Sequence, residues 1–409
     1  MRLVAAALAL AGAASFAEAV PLTPTVIFAD AAGQPGDNFA AAVAIDQGRV
    51  LIGAQANSTN AREAGRAFLF AESGALLQTF DAPNPAEEDG FGDAVALSGN
   101  RVLIGASGED VGAPGAGRAY LFDADTGALL QTFANPNPTQ DAGFGEAVAI
   151  DGTRVTIGAP AAGPVEAGQT FLFDADTGAL VQTFDSPNPS AGDEFGDALA
   201  IDGTSILIGA AGDDTFGFNA GQAFLFDAGG SLLSSFADPV PVVNDLFGDT
   251  VDLDGTLVLV GAPLSDPAGN ASGEAFLFDA QTGTLLQSFA DPNPGIGDAF
   301  GEALALDDGL IAIGASNDNT NGAGAGLVFL FDAQTGALLQ ILDDPEPGAG
   351  DFFGDALDVF GGQVLVGAQL DQAAAGRAFL FEARPIPLPP AFALMLSALG
   401  LLAVLRGKA

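Results

Sequence analysis

Short apolar runs alternate with polar turns along the chain, and four such runs recur in every stretch of about fifty residues. The third copy is the clearest, with apolar runs at 147–150, 154–157, 170–173 and 180–184. Asp151-Gly152 predicts a tight hairpin between the first two runs. Runs of this length bounded by turn residues predict strands, and no helical periodicity appears between the two ends of the chain. Four strands per repeat are typical of a propeller blade.

A phenylalanine marks the start of every copy, and a Gly-Ala pair begins 14 residues after it. Successive markers are 51 to 53 residues apart. The seven markers are Phe39, Phe91, Phe144, Phe195, Phe247, Phe300 and Phe353. A period this regular predicts units that each bury one face against the next.

The first six copies end their fourth strand 11 residues before the next marker, whereas the seventh copy has only three strands. Phe28, the last residue of the apolar run Thr25–Phe28, likewise lies 11 residues before Phe39. We therefore predict an all-β fold over 20–384, a seven-bladed propeller of four-stranded antiparallel blades. The N-terminal strand Thr25–Phe28 completes blade 7, which removes the open edge of the array.

Residues 1–19 have the pattern of a secretory signal peptide. Arg2 precedes an apolar stretch, and Ala17 and Ala19 form a small-x-small cleavage site. The alternative is a buried N-terminal helix.

Residues 385–409 form a tail of different composition. A proline-rich segment is followed by an uncharged apolar run at 391–405, which predicts a single short membrane helix. Arg406 and Lys408 close the run and should remain cytoplasmic. A plain membrane anchor is the alternative to a sorting signal.

Charge and composition limit the chemistry. The net charge is −41, which argues against nucleic acid and anionic lipid surfaces as partners. The sequence contains no Cys and no His, and Lys408 is its single lysine. Any site must therefore be built from carboxylates, hydroxyls, amides, backbone carbonyls and a few arginines.

The Phe-Gly marker and the later Gly-Ala pair resemble FG-GAP repeats, the family that includes the integrin α-chain propeller and many bacterial surface proteins. The resemblance covers about residues 25–383 and implies a seven-bladed propeller. Copy 1 departs from the pattern with Phe39-Ala40. The short hairpins such as Asp151-Gly152 leave no room for the calcium loop that integrin repeats carry there.

The tail resembles the PEP-CTERM class of sorting signals, in its Val-Pro-Leu-Pro-Ala variant. The corresponding box is Ile386, Pro387, Leu388, Pro389 and Pro390, and Arg406 and Lys408 form the basic end. The resemblance implies processing by an exosortase-type protease in a Gram-negative bacterium.

Two series of carboxylates recur with the markers. Two residues before the marker stand Asp37, Asp89, Asp193, Asp245, Asp298 and Asp351. Two residues after it stand Asp93, Glu146, Asp197, Asp249, Glu302 and Asp355. The second series is a candidate ring of Ca²⁺ ligands at one mouth of the channel. The structural alternative, which we favour, is that both series cap turn amides where the chain enters the inner strand.

The loops between the second and third strands vary most and are the better candidates for recognition. They include 108–110, 213–218 and 317–321. Asp318, flanked by amides, is a candidate cation ligand, and the alternative, which we favour, is that it is a polar loop residue with no ligand. Phe216 and Phe218 either contact a sugar or protein or fold under their loop.

We predict an exported, non-enzymatic binding or structural module at the cell surface or in the extracellular matrix, anchored at first by its C-terminal helix. Its partners would be an exosortase-type protease and an extracellular polysaccharide or surface protein, and it would need no cofactor other than a candidate Ca²⁺. The alternatives are a Ca²⁺-dependent adhesin, and a polysaccharide hydrolase using two carboxylates.

Overall fold

The computed structural model of the protein describes residues 22–163, 165–266, 271–371 and 375–383. Within these residues, 28 strands form seven antiparallel four-stranded sheets, each of them one blade. The predicted seven-bladed propeller is therefore confirmed.

The first four blades follow the chain order, from the channel outwards. Blade 1 contains β2 (Phe39–Asp46), β3 (Arg49–Ala54), β4 (Arg66–Ala71) and β5 (Leu76–Phe80). Blade 2 contains β6 (Phe91–Ser98), β7 (Arg101–Ala106), β8 (Arg118–Asp123) and β9 (Leu129–Ala134). Blade 3 contains β10 (Val148–Asp151), β11 (Arg154–Ala159), β12 (Gln169–Asp174) and β13 (Leu180–Asp185). Blade 4 contains β14 (Leu199–Asp202), β15 (Ser205–Ala210), β16 (Gln222–Asp227) and β17 (Leu232–Phe236).

The remaining blades complete the ring. Blade 5 contains β18 (Val251–Asp254), β19 (Leu257–Ala262), β20 (Glu274–Asp279) and β21 (Leu285–Ala290). Blade 6 contains β22 (Leu304–Asp307), β23 (Leu310–Ala315), β24 (Leu327–Asp332) and β25 (Leu338–Leu342). Blade 7 combines β26 (Leu357–Phe360), β27 (Gln363–Ala368) and β28 (Arg377–Glu382) with β1 (Val26–Phe28).

Aromatic rings join each blade to its neighbour. The marker Phe144 is fully buried and meets Phe173 of its own blade edge-on, with ring centroids 6.1 Å apart. Phe133, from the outer strand of blade 2, packs on the other side of Phe173 at 5.0 Å. Because edge-to-face pairs add to the energy of area burial, each blade gains stability from the outer strand of the previous one.

The glycines of the two sequence motifs lie where adjacent blades approach most closely. A Cβ on Gly105, from a Gly-Ala pair in blade 2, would lie 1.9 Å from the carbonyl oxygen of Gly145, from the Phe-Gly pair of blade 3. Gly145 itself has a φ of +100°. Only glycine fits both positions, so close packing of adjacent blades requires the glycines of the Phe-Gly and Gly-Ala pairs.

The N-terminal strand closes the ring as predicted, starting at Val26 instead of Thr25. β1 pairs antiparallel with β28, with Val26 opposite Leu380 and Phe28 opposite Ala378. The Thr25 amide donates to the Leu380 carbonyl at 2.7 Å.

The predicted signal peptide (1–19) and sorting tail (385–409), with its helix at 391–405, lie outside the residues that the structure describes and stay predictions. Among the residues that are described, no helix has the length and apolarity needed to cross a membrane.

Candidate functional site

The propeller has two faces around its central channel. The hairpin face carries the turns between first and second strands. The linker face carries the blade-to-blade linkers and the loops between second and third strands, because antiparallel strands return the chain to the side from which it started. The first strands line the channel as expected, with side chains that include Val43, Ala96 and Ile150.

Aspartates on the hairpin face tie neighbouring blades together. The last residue of a first strand accepts a hydrogen bond from the hairpin amide of the next blade, for example from Gly203 to Asp151 at 2.8 Å and from Gly255 to Asp202 at 2.7 Å. Asp46, Ser98, Asp254 and Asp307 do the same. Sequence reasoning missed this series, although it stands seven residues after the markers. The hairpins are the short turns expected, with Asp151 opposite Arg154.

The equivalent residue in blade 7 is Phe360, which has no carboxylate. A different aspartate links blade 7 to blade 1 at the junction where the ring closes, which we call the seam. Asp358 accepts hydrogen bonds from the amides of Ile45, at 2.7 Å, and Val359, at 2.8 Å. Asp252 likewise accepts an amide of blade 6, and five blades have alanine at this position. Burial in the channel wall raises the pKa of Asp358 to about 7 and that of Asp252 to about 6. These two symmetry-breaking acids are therefore links between blades.

The six candidate metal ligands two residues after the markers lie at the linker-face mouth of the channel. Glu146 and Asp197 line one cleft there, together with Glu194. Burial raises the pKa of Glu146 to about 7, and the Asp197 and Asp93 carboxylates add repulsion. Burial likewise raises the pKa of Asp249 to about 7. Both carboxylate oxygens of Asp355 are buried, and this burial raises its pKa well above the usual value.

This ring does not gather its ligands at one point. Within the part of the chain that the structure describes, triads of carboxylate oxygens within 4.8 Å of one another occur only elsewhere. The expected turn capping also does not explain Asp93 and Glu302, which accept hydrogen bonds from the hydroxyls of Ser107 and Ser316 at 2.5 Å. The ring remains a prediction as a metal site.

Turn capping is confirmed for the aspartates two residues before the markers. Each accepts a hydrogen bond from the amide three residues earlier, as Asp89 does from Ala86 at 2.6 Å and Asp193 from Ser190 at 2.6 Å. The same bond is made by Asp37, Asp245, Asp298 and Asp351.

Two buried aspartate triads lie on the linker face, in blades 6 and 7. Each combines a linker residue, the capping residue and a loop residue. The blade 6 triad is Asp291, Asp298 and Asp318, and the blade 7 triad is Asp344, Asp351 and Asp371. Burial raises the pKa of Asp291 to about 6, with added repulsion from Asp298 and Asp318. Of these six residues, the sequence alone indicates Asp318 as a cation candidate, whereas it indicates Asp298 and Asp351 only as members of the series before the markers.

The two triads differ in their counter-charge. In blade 7 the buried Arg377 hydrogen-bonds to Asp371 through Nε, and its Nη2 lies 3.7 Å from Asp344. The residue at the same place in blade 6, directly after the loop glycine, is Leu327. An apolar side chain cannot balance three carboxylates, so the blade 6 triad lacks the internal cation of its neighbour.

The loops between second and third strands, which were the candidates for recognition, differ in whether their side chains are buried or exposed. In blade 2, Glu109 is buried and accepts hydrogen bonds from Tyr120 at 2.5 Å and Arg118 at 2.8 Å, so this loop position is structural. In blade 4, Phe216 and Phe218 do not fold under their loop, because their exposed fractions are 52% and 61%.

These phenylalanines belong to an exposed apolar patch that the sequence did not reveal as a unit. Val240, Val242 and Val243 of the following linker are exposed by 75%, 49% and 56%. The Asn244 amide donates to the Phe218 carbonyl at 2.9 Å, which holds linker and loop side by side. We call these five residues the blade 4 patch.

Parts of the chain match a known family of repeats. The FG-GAP repeat model matches residues 26–70, 77–122, 181–226 and 241–278. The first three matches begin in the outer strand of one blade and end in the third strand of the next, so the sequence repeat is offset from the structural blade. A search of curated proteins finds no match to the chain.

Proposed function

We propose that this seven-bladed propeller with FG-GAP repeats is an exported binding module that holds a partner protein at the blade 4 patch. The fold itself suggests a binding or structural module. The observation that supports the finer proposal is the patch, a group of five exposed apolar side chains on a protein of net charge −41. Contiguous exposed apolar surface on a charged protein is typical of an interaction site.

The patch breaks the symmetry of the repeat. Exposed leucine pairs such as Leu232 and Leu233 recur on the outer strands of most blades and serve the blade. Phe216 and Phe218, by contrast, are not repeated in the other loops. Features that serve the blade recur with it, whereas a binding site for one partner needs residues that occur once.

The composition of the patch favours a protein over a sugar. The patch contains three exposed valines of the neighbouring linker besides the phenylalanines, and branched aliphatic side chains pack against apolar protein groups without offering hydrogen bonds to hydroxyls. Aromatic side chains commonly anchor protein interfaces. The acidic surroundings favour a partner whose rim is neutral or basic.

Photo-crosslinking tests this role. A photoreactive residue replacing Phe218 in the full chain should give one discrete crosslinked protein on intact cells. The same residue at Leu233, equally apolar and exposed, serves as the control. Phe216→Ser should remove the crosslink from position 218. Equal labelling from both positions, or a crosslink that survives Phe216→Ser, would contradict the proposal.

Export and sorting are part of the same proposal. Cleavage after Ala19 would release the mature chain, and an exosortase-type protease would recognise the box at 386–390. Replacing Pro387 and Pro389 by alanine should leave an unprocessed, heavier chain in the membrane fraction, measured by mass spectrometry. Normal processing of that variant would refute the sorting role without affecting the blade 4 patch.

A further inference from the structure

We propose that the blade 6 triad of Asp291, Asp298 and Asp318 is a Ca²⁺ site that replaces, with a metal ion, the arginine used in blade 7. The site lies on the linker face, away from the hairpins between first and second strands. It is separate from the ring of acids around the channel mouth and independent of the blade 4 patch.

One carboxylate oxygen from each of the three side chains lies within 4.8 Å of one from each of the others. Each ties one oxygen to a backbone amide: Asp291 to Asn293 at 2.7 Å, Asp318 to Thr320 at 2.6 Å, and Asp298 to Gly295. The side chains are held rigidly by these bonds, so their remaining oxygens are preorganised. All three residues are more than nine-tenths buried, with exposed fractions of 6%, 1% and 1%.

Two of those oxygens have no protein partner. Asp291 Oδ2 and Asp298 Oδ1 are fully buried and accept no hydrogen bond within the described structure. Buried polar atoms are nearly always satisfied, so an unsatisfied pair inside a carboxylate cluster indicates a ligand that supplies positive charge. No arginine or lysine among the described residues forms an ion pair with the triad.

Blade 7 shows how the protein itself supplies positive charge to an equivalent aspartate triad. There, Arg377 enters the equivalent triad and is itself buried against Phe379, with its guanidinium 5.1 Å from the ring centre. Three of the seven blades carry arginine directly after the loop glycine, namely at Arg66, Arg118 and Arg377. Among the residues that the structure describes, blade 6 alone combines three clustered aspartates with an apolar residue at that position.

Size and chemistry favour calcium. One oxygen from each of the three carboxylates lies within 4.8 Å of one from each of the others, and ligands at about 2.3–2.6 Å from one Ca²⁺ can be up to about 5 Å apart, so the three can share one Ca²⁺. Mg²⁺ requires shorter bonds and keeps most of its water. The triad opens to a cleft on the linker face lined by Asn293, Asp298, Asp318 and Thr320, through which water can complete the coordination shell.

Reciprocal exchange of the blade 6 and blade 7 residues tests the site. The full chain, stripped with chelator, is titrated with Ca²⁺ alone by calorimetry and by thermal unfolding. Ca²⁺ should raise the unfolding temperature of the natural protein. Leu327→Arg, which copies blade 7, should raise that temperature without Ca²⁺ and abolish the further rise. Asp298→Asn should weaken Ca²⁺ binding by at least roughly 10–100-fold.

The matched controls are in blade 7. Asp351→Asn, at the position equivalent to Asp298, should leave the Ca²⁺ response unchanged, and Arg377→Leu should create a second Ca²⁺ response. The proposal fails if the natural protein shows neither heat nor a thermal shift with Ca²⁺. It also fails if Leu327→Arg responds to Ca²⁺ as the natural protein does, because another site would then be responsible. The crosslink at position 218 is unaffected by either outcome.

Discussion

Ala40 stands where the other six blades carry the glycine of the Phe-Gly pair, and its φ is +73°. The left-handed region costs an L-residue about 1–2 kcal/mol, because Cβ approaches the following carbonyl group. The backbone there is held in place because the Ala40 carbonyl packs against Gly367 of blade 7, across the seam of the ring. The departure from the repeat pattern noted in the sequence is therefore a point of stored strain.

We expect Ala40→Gly to raise the free energy of unfolding by about 0.5–1 kcal/mol, because glycine adopts this φ without strain. The midpoint of chemical denaturation measures the change. Gly145→Ala is the opposite control, since its new Cβ would lie 2.3 Å from the Arg118 carbonyl oxygen, and it should be clearly destabilising. A less stable Ala40→Gly variant would show that burial of the methyl group outweighs the strain.

β1 is the element on which closure of the ring depends. It has only three residues, yet it supplies the outer strand of blade 7 and places Phe28 against Phe70 of blade 1, with ring centroids 5.3 Å apart. Phe28 is 2% exposed, whereas its neighbour Ile27 is 45% exposed. Phe28 is thus the fully buried side chain of this strand, and Val26 packs against the same apolar cluster between blades 7 and 1.

Phe28→Ala should lower the free energy of unfolding by about 3–5 kcal/mol, the usual cost of removing a buried phenyl ring. Ile27→Ala, in the same strand, should change it by no more than about 0.5 kcal/mol, because that side chain faces solvent. Thermal unfolding compares the two. Deleting 20–30 should cause aggregation or a large fall in melting temperature, and an unchanged melting temperature would contradict closure by β1.

The sequence predicted the elements well because blade number, strand order and closure depend on constant offsets between residues such as Phe28 and Phe39. It also predicted that Asp89 and its equivalents cap turns, which is a local property. It could not reveal the blade 6 triad, because Asp298 and Asp318 come from separate segments that meet only when linker and loop share a face. The available signal was the change from Arg377 to Leu327 at one repeat position.

For the molecule as a whole, the acids at the channel mouth make stability depend on pH. Burial raises the pKa of Glu146 and of Asp249 to about 7, whereas both titrate near 4 in the unfolded chain. Between these values the folded protein binds the protons more strongly than the unfolded chain. Folding stability therefore decreases as pH rises from about 4 to 7, and the loss is complete above the folded pKa.

We expect the thermal midpoint to rise when the pH is lowered from 8 to 5. Glu146→Gln with Asp249→Asn should raise the midpoint at pH 8 and reduce its pH dependence. Glu72→Gln with Glu382→Gln removes the same number of charges from exposed positions and controls for net charge. A midpoint that falls between pH 8 and pH 5, or a control pair that flattens the profile equally, would contradict this account.

β1 and β28 pair residues from the two ends of the propeller, such as Phe28 with Ala378, and the hydroxyl of Thr25, directly before β1, donates to the Leu380 carbonyl 355 positions away. Of the described strands, β1 leaves the ribosome first and its partner leaves last. Blade 7 therefore cannot be completed until synthesis of the propeller has finished, and folding must search for a contact of very high sequence separation. A circular permutant that places β1 directly after β28 should keep the same packing and refold faster.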